Sequence, residues 1–102
     1  MSQQYILTPQ AASDVRGIWD YLESKASDAV ADRVVTRIWA ECDKLARYPT
    51  LGHFRDDLAD RRQRFWSVWS YLIMNRWQTT PIQIIAIAHG ARDLETLLDD
   101  RM

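Results

Sequence analysis

A chain of 102 residues, with 47% hydrophobic residues, is sized for a single domain over residues 1–102 whose core needs no metal or disulfide staple. The formal net charge of −1 comes from 13 basic and 14 acidic residues, and the lone cysteine, Cys42, excludes an intramolecular bridge and fits a reducing cytoplasm. Met1-Ser2-Gln3-Gln4 lacks the basic start of a signal peptide and no apolar run approaches the ~20 residues of a membrane span, so a soluble cytoplasmic protein without membrane contact is expected.

In chain order, Tyr5-Ile6-Leu7 is a short apolar run that reads as a strand, and Thr8-Pro9 supplies an N-cap hydroxyl and a proline for a first helical turn. Val15, Ile18, Trp19 and Leu22 recur at the spacing of one helical face, giving a first helix to about Ser24. Ser27 caps a second helix, with Asp28 in its first turn and a stripe of Ala31, Val34, Ile38, Cys42 and Leu45 that Pro49 and Gly52 bring to an end. Few residues separate the two helices, which predicts an antiparallel helical hairpin.

The second half turns to β composition. Phe65 to Val68 and Tyr71 to Trp77 read as strands, Gln78 to Pro81 as a turn, and Ile82 to His89, the most apolar run, as a central strand. Gly90 breaks that run, and a short helix is expected from Asp93. The predicted fold is α+β in the order β-α-α-β-β-β-α, an antiparallel meander with the helical hairpin on one face.

Charge is segregated along this layout. From Arg61 to Arg92 there are five arginines and no aspartate or glutamate, whereas the remainder holds eight basic and 14 acidic residues. Arginines without counterions make a positive surface that attracts phosphate or carboxylate. The competing reading spreads them over both faces of a sheet whose buried strands have few places for carboxylates.

For chemistry, His89 beside Gly90, Arg92 and Asp93 is the best acid–base candidate, against a purely structural histidine and a local Arg92–Asp93 ion pair or helix cap. His53 has no partner at metal-ligand spacing, so no metal is expected. Nucleophile-elbow, glycine-rich phosphate-loop and paired-carboxylate motifs are missing, which removes ordinary hydrolase and nucleotide-binding readings and calls for no cofactor. In the carboxylate-free stretch only His89 or Tyr71 could serve as a base, so binding is favoured over catalysis. Arg61, Arg62, Arg64 and Arg76 could line one rim, Trp66 reads chiefly as core, and Trp69 at the turn and Tyr21 off the helical stripe are candidates to meet a partner.

Leu7-Thr8-Pro9, Ile18-Trp19-Asp20-Tyr21-Leu22, Tyr48-Pro49, Gly52, Tyr71-Leu72-Ile73, Arg76 and His89-Gly90-Ala91-Arg92-Asp93-Leu94 together closely resemble the ParE branch of the RelE/ParE toxin superfamily over roughly Tyr5 to Leu98. The resemblance implies the toxin of a type II toxin-antitoxin pair, of the plasmid stabilisation kind, with a ParD-like antitoxin as partner and no sequence-specific nucleic acid binding of its own. ParE-like toxins act on DNA gyrase, and RelE-like relatives cut messenger RNA on the ribosome using lysines, arginines and a late tyrosine or a glutamate-histidine set. This chain has no lysine after Lys44 and no tyrosine after Tyr71, so gyrase inhibition without catalysis is the better inference. The alternatives are a ribosome-dependent endoribonuclease using His89, and a non-toxic, binding-only member. The implied contact residues, for target or antitoxin, are Arg61, Arg62, Arg64, Trp69, Arg76, His89 and Arg92. Three positions depart from the family pattern: Ala86 stands where an arginine is common, Asn75 where an aromatic precedes Arg76, and Trp69 where a small or basic residue is usual.

Overall fold

The computed structural model describes residues 4–101, apart from the side chains of Ala91, Arg92, Asp99, Asp100 and Arg101. Elements run β1 (Tyr5–Leu7), α1 (Pro9–Lys25), α2 (Asp28–Arg47), β2 (Gln63–Val68), β3 (Tyr71–Arg76), β4 (Ile82–Ala88) and α3 (Gly90–Arg101), the order expected from the sequence. Both helix starts form as their caps dictate. The Thr8 hydroxyl accepts from the Ala11 N–H at 3.1 Å and the Ser27 hydroxyl from the Val30 N–H at 3.2 Å.

The sheet has the strand order β1-β4-β3-β2. The β2–β3–β4 meander is antiparallel, and β1 adds a short parallel row on β4, with Leu7 opposite Ile84, so the sheet is mixed. At Met74/Asn75 the β3–β4 register shifts, leaving Ile85 as an extra residue in β4. That bulge turns the usual alternation aside: Ile84 and Ile87 face the helical hairpin, whereas Ile85 and Ala86 both face the opposite side.

Two cores result. The first joins Val15, Ile38, Cys42 and Leu45 of the helical hairpin to Val68, Ile73, Ile84 and Ile87. The second packs Leu94 and Leu98 of α3 against Phe65, Leu72, Met74 and Ala86. Sequence patterning had accounted for one covered face, and α3, which starts at Gly90 rather than Asp93, covers much of the other. Burial on both faces is why β4 reads as an unbroken apolar run. Gly90 enters α3 at φ +87°, a conformation that glycine adopts freely. Gly52 answers a different need, since a Cβ there would stand 3.0 Å from the Phe65 carbonyl oxygen, where the chain pairs residue 53 with β2.

Among the described residues no helix is long and apolar enough to cross a membrane. Burial, and then the nearby Asp43 and Glu41 carboxylates, push the Cys42 thiol up to about 12. A thiol reagent at about pH 8 is expected to leave Cys42 untouched until the chain unfolds; modification in native buffer at the rate of a free thiol would contradict this.

Candidate functional site

The sequence candidates separate to opposite ends of the sheet. Gln63 at the start of β2 pairs with Arg76 at the end of β3, and Arg76 pairs with Gln83, which gathers Arg61, Arg62, Arg64 and Arg76 at one end. Val68 pairs with Tyr71 and Leu72 with Ala88, which places Trp69 and His89 at the other. A six-residue strand makes the separation roughly 20 Å.

At the arginine end, the expectation of charges without counterions is overturned for two residues. Arg61 pairs with Asp56 at 3.1 Å and Arg62 with Asp60 at 2.7 Å, the aspartates coming from the loop just before the carboxylate-free stretch. Side-chain and then backbone hydrogen bonds from Arg62 draw the Asp60 carboxyl down to about 2. Both pairs are largely exposed, so they contribute little stability and a partner's carboxylate can replace either aspartate at small cost.

Arg64 is a packing residue. Its guanidinium lies 4.2 Å from the Phe54 ring centroid and 4.3 Å from that of Trp77, and Nη1 donates to the Gly52 carbonyl at 2.8 Å. Arg64 therefore ties the 50–54 loop to β2 through cation–π contact as well as hydrogen bonding. Arg76 donates to Gln83 Oε1 at 3.2 Å from an exposed position.

The opposite end is aromatic. Trp69, the first residue of the two-residue β2–β3 turn, is 58% exposed at φ +53°, with Arg37 5.4 Å from its ring centroid. The left-handed conformation costs a bulky L-residue roughly 1–2 kcal/mol, and an exposed cation–π contact returns about 0.5–1 kcal/mol. Trp69→Gly is therefore expected to leave stability unchanged or raise it by up to about 1 kcal/mol in urea unfolding. A loss of that size would show that the indole supports the fold.

His89 lies just past β4, exposed, with its ring edge-on to Tyr71 at 5.2 Å between centroids. Burial, reinforced by Tyr21, raises the Tyr71 pKa above its ordinary value, so this phenol holds its proton and is a poor base. Between α1, the end of β4 and α3 runs an open groove of about 800 Å³ with Ile18, Tyr21, Leu22, Tyr71, His89 and Leu97 on its walls. Arg92 belongs to the first turns of α3, and its side chain lies outside those described.

The family departures acquire physical meaning here. Ala86 is fully buried in the second core, so a small residue lets α3 pack at that point. Asn75 is also fully buried, its Nδ2 donating to the Arg64 carbonyl at 3.3 Å, and it presents nothing to a partner.

Sequence reasoning passed over Glu41, which is only 8% exposed on the packed face of α2. Its carboxylate accepts from Trp66 Nε1 at 2.7 Å and from Arg37 Nε at 3.2 Å. Trp66 packs on the first core as expected, with Lys44 and His53 against its ring. A signal was available, since Glu41 stands three residues after Ile38 and four before Leu45, on the apolar stripe itself. Among the described residues no cluster of three or more metal-ligating side chains forms.

A sequence profile of the family described as "ParE toxin of type II toxin-antitoxin system, parDE" matches residues 5–94. The fold is similar to that of a chain in a solved structure described as the chromosomal ParDE TA system from P. aeruginosa. The TM-score is 0.74 at 19% sequence identity, over 87% of this chain and 97% of that one. No curated protein matches the sequence.

Proposed function

Since the chain belongs to the ParE toxin family of type II toxin-antitoxin systems, we propose that it inhibits DNA gyrase when free and is neutralised by direct contact with a ParD-like antitoxin. The observation that carries this reading is the division of the sheet into two ends. An endoribonuclease needs cations to hold the RNA backbone beside its acid or base. Here His89 sits against Tyr71 at one end, and the arginines of the β2–β3 rim sit at the other. Arg61, Arg62, Arg64 and Arg76 lie about 20 Å from His89, and of the candidate arginines only Arg92, at the start of α3, shares its end, where Arg37 also lies beside Trp69. The surface therefore suits binding better than proton transfer.

Antitoxins of this type bring an acidic, initially disordered segment, which would displace Asp56 and Asp60 from Arg61 and Arg62 and pair with Arg76. Arg64 supports that surface from beneath. Trp69, held in a strained conformation and open to solvent, belongs to the contact surface at the far end, together with His89 and Arg92.

The test is a supercoiling assay with purified protein and gyrase. Inhibition by the free chain, relieved by antitoxin, is expected; full supercoiling at stoichiometric excess of toxin removes the gyrase reading. Cleavage of translated message that His89→Ala abolishes would replace it with ribonuclease action.

A further inference from the structure

Half of the eight basic residues outside the Arg61–Arg92 stretch stand on one side of α2. At about 100° of turn per residue, Arg33, Arg37, Lys44 and Arg47 fall within an arc of about 80°, in a line roughly 21 Å long that is turned away from the Ile38–Cys42–Leu45 stripe. The one other residue of the segment in that arc is Ala40, so no carboxylate interrupts the line. Arg33 and Arg47 are exposed, and their side chains enter no ion pair or hydrogen bond among the described residues.

Two carboxylates flank the line. Glu41, on the side toward β2, is nearly buried and held by the Trp66 indole N–H, so it tethers Arg37 and Lys44 from the packed face while both keep about half of their side chains in solvent. Asp43 lies on the other flank, toward Tyr5, and pairs with no cation among the described residues.

Along the β2 flank the cations are bordered by rings. Arg37 lies 5.4 Å from the Trp69 ring centroid and Lys44 5.6 Å from that of Trp66, which in turn stacks on His53 at 6.0 Å. β2 is an edge strand, so no further strand shelters this seam. Trp69 holds its strained backbone while standing open to solvent at one end, where a ring from outside the chain can lie on it. The same edge does not invite an extended peptide, because Gln63 already bonds the Asp60 carbonyl and Phe65 exchanges hydrogen bonds with His53. A line of cations beside an open indole matches instead a phosphodiester backbone with unstacked bases.

We propose that the seam between α2 and β2 binds single-stranded nucleic acid without sequence preference, with phosphates on Arg33, Arg37, Lys44 and Arg47 and a base stacked on Trp69. The groove that His89 lines has no α2 residue in its walls, so the seam is a surface of its own. It is also independent of the gyrase reading, since neither falls with the other.

The probe is a fluorescently labelled oligothymidylate of about fifteen nucleotides, titrated by anisotropy with the full chain; being DNA, it keeps any ribonuclease action out of the readout. The logarithm of the association constant should fall against that of salt with a slope of about −3, as four phosphate contacts on a single strand require. Arg33→Glu and Arg47→Glu together are expected to weaken binding at least about tenfold and to halve that slope, with the melting temperature unchanged. Arg33→Gln with Arg47→Gln serves if charge reversal impairs folding. Trp69→Gly should weaken binding about tenfold without altering the slope. Arg16→Glu, which shifts the net charge as much as Arg33→Glu but stands on α1, should bind as the unaltered chain does. No binding by the unaltered chain, unaltered affinity in the folded double variant, or equal weakening by Arg16→Glu and Arg33→Glu overturns the seam as a site. Displacement of the strand by an equal charge of polyglutamate would refute nucleic acid as the occupant in favour of an acidic protein segment. Equally tight binding of a duplex, with Trp69→Gly without effect, would refute the stacked base.

Discussion

Phe65→Ala is expected to cost about 3–5 kcal/mol and to lower the melting temperature by more than about 12 °C. Phe65 is 2% exposed and, among the described residues, is the only buried aromatic of the second core, which it shares with Leu72, Met74, Leu94 and Leu98. That is a large share of the roughly 5–15 kcal/mol available to a domain of this size. Its backbone exchanges hydrogen bonds with His53 at 2.7 and 2.8 Å, and truncating the side chain leaves both in place. The loss should therefore fall first on α3, whose amides would exchange faster than those of α1 and α2. A shift below about 5 °C, or uniform acceleration across all helices, would refute the assignment of a separate core beneath α3.

Glu41→Ala should destabilise the chain by about 2–3 kcal/mol, whereas Glu41→Gln should cost about 1 kcal/mol. The difference lies in what each leaves behind. Alanine strands the Trp66 indole N–H, which now donates at 2.7 Å to a charged oxygen, whereas glutamine keeps an acceptor in reach. Arg37 and Lys44 contribute less to the cost, because their side chains are 50% and 45% exposed and return to water when the carboxylate is removed. Urea midpoints at unchanged slope would measure both variants. Equal losses for alanine and glutamine would sink the indole hydrogen bond as the cause.

The parts of this fold that were legible in the sequence are those set by local chemistry. Thr8 and Ser27 announce their helices through hydroxyls that cap in place, and the Ile38–Cys42–Leu45 stripe announces the face that packs. Features that depend on distant partners were not legible. Three residues of β1 give no sign of pairing parallel to β4, and nothing in the apolar run from Ile82 marks Ile85 as the bulge that turns Ala86 toward α3. Arg61 and Arg62 misled because the count of carboxylates began one residue after Asp60, at the point where the chain folds back on itself. The candidate site was legible as residues but not as geometry. Arg61, Arg62, Arg76, Trp69 and His89 all stand near the surface, yet their division between two ends follows from strand register alone. The groove walls come from residues 13–22, 71, 87–89 and 93–97, which only the tertiary fold brings together.

That division has a kinetic consequence for any ligand long enough to reach both ends. Once one end is engaged, the ligand's other half is confined within about 20 Å of its own site, and the second association becomes intramolecular. Residence time then depends on both halves being off at the same instant, so two individually weak contacts give a long-lived complex. A competitor at the arginine rim alone would loosen such a ligand without evicting it, whereas cutting the ligand between its halves would release both.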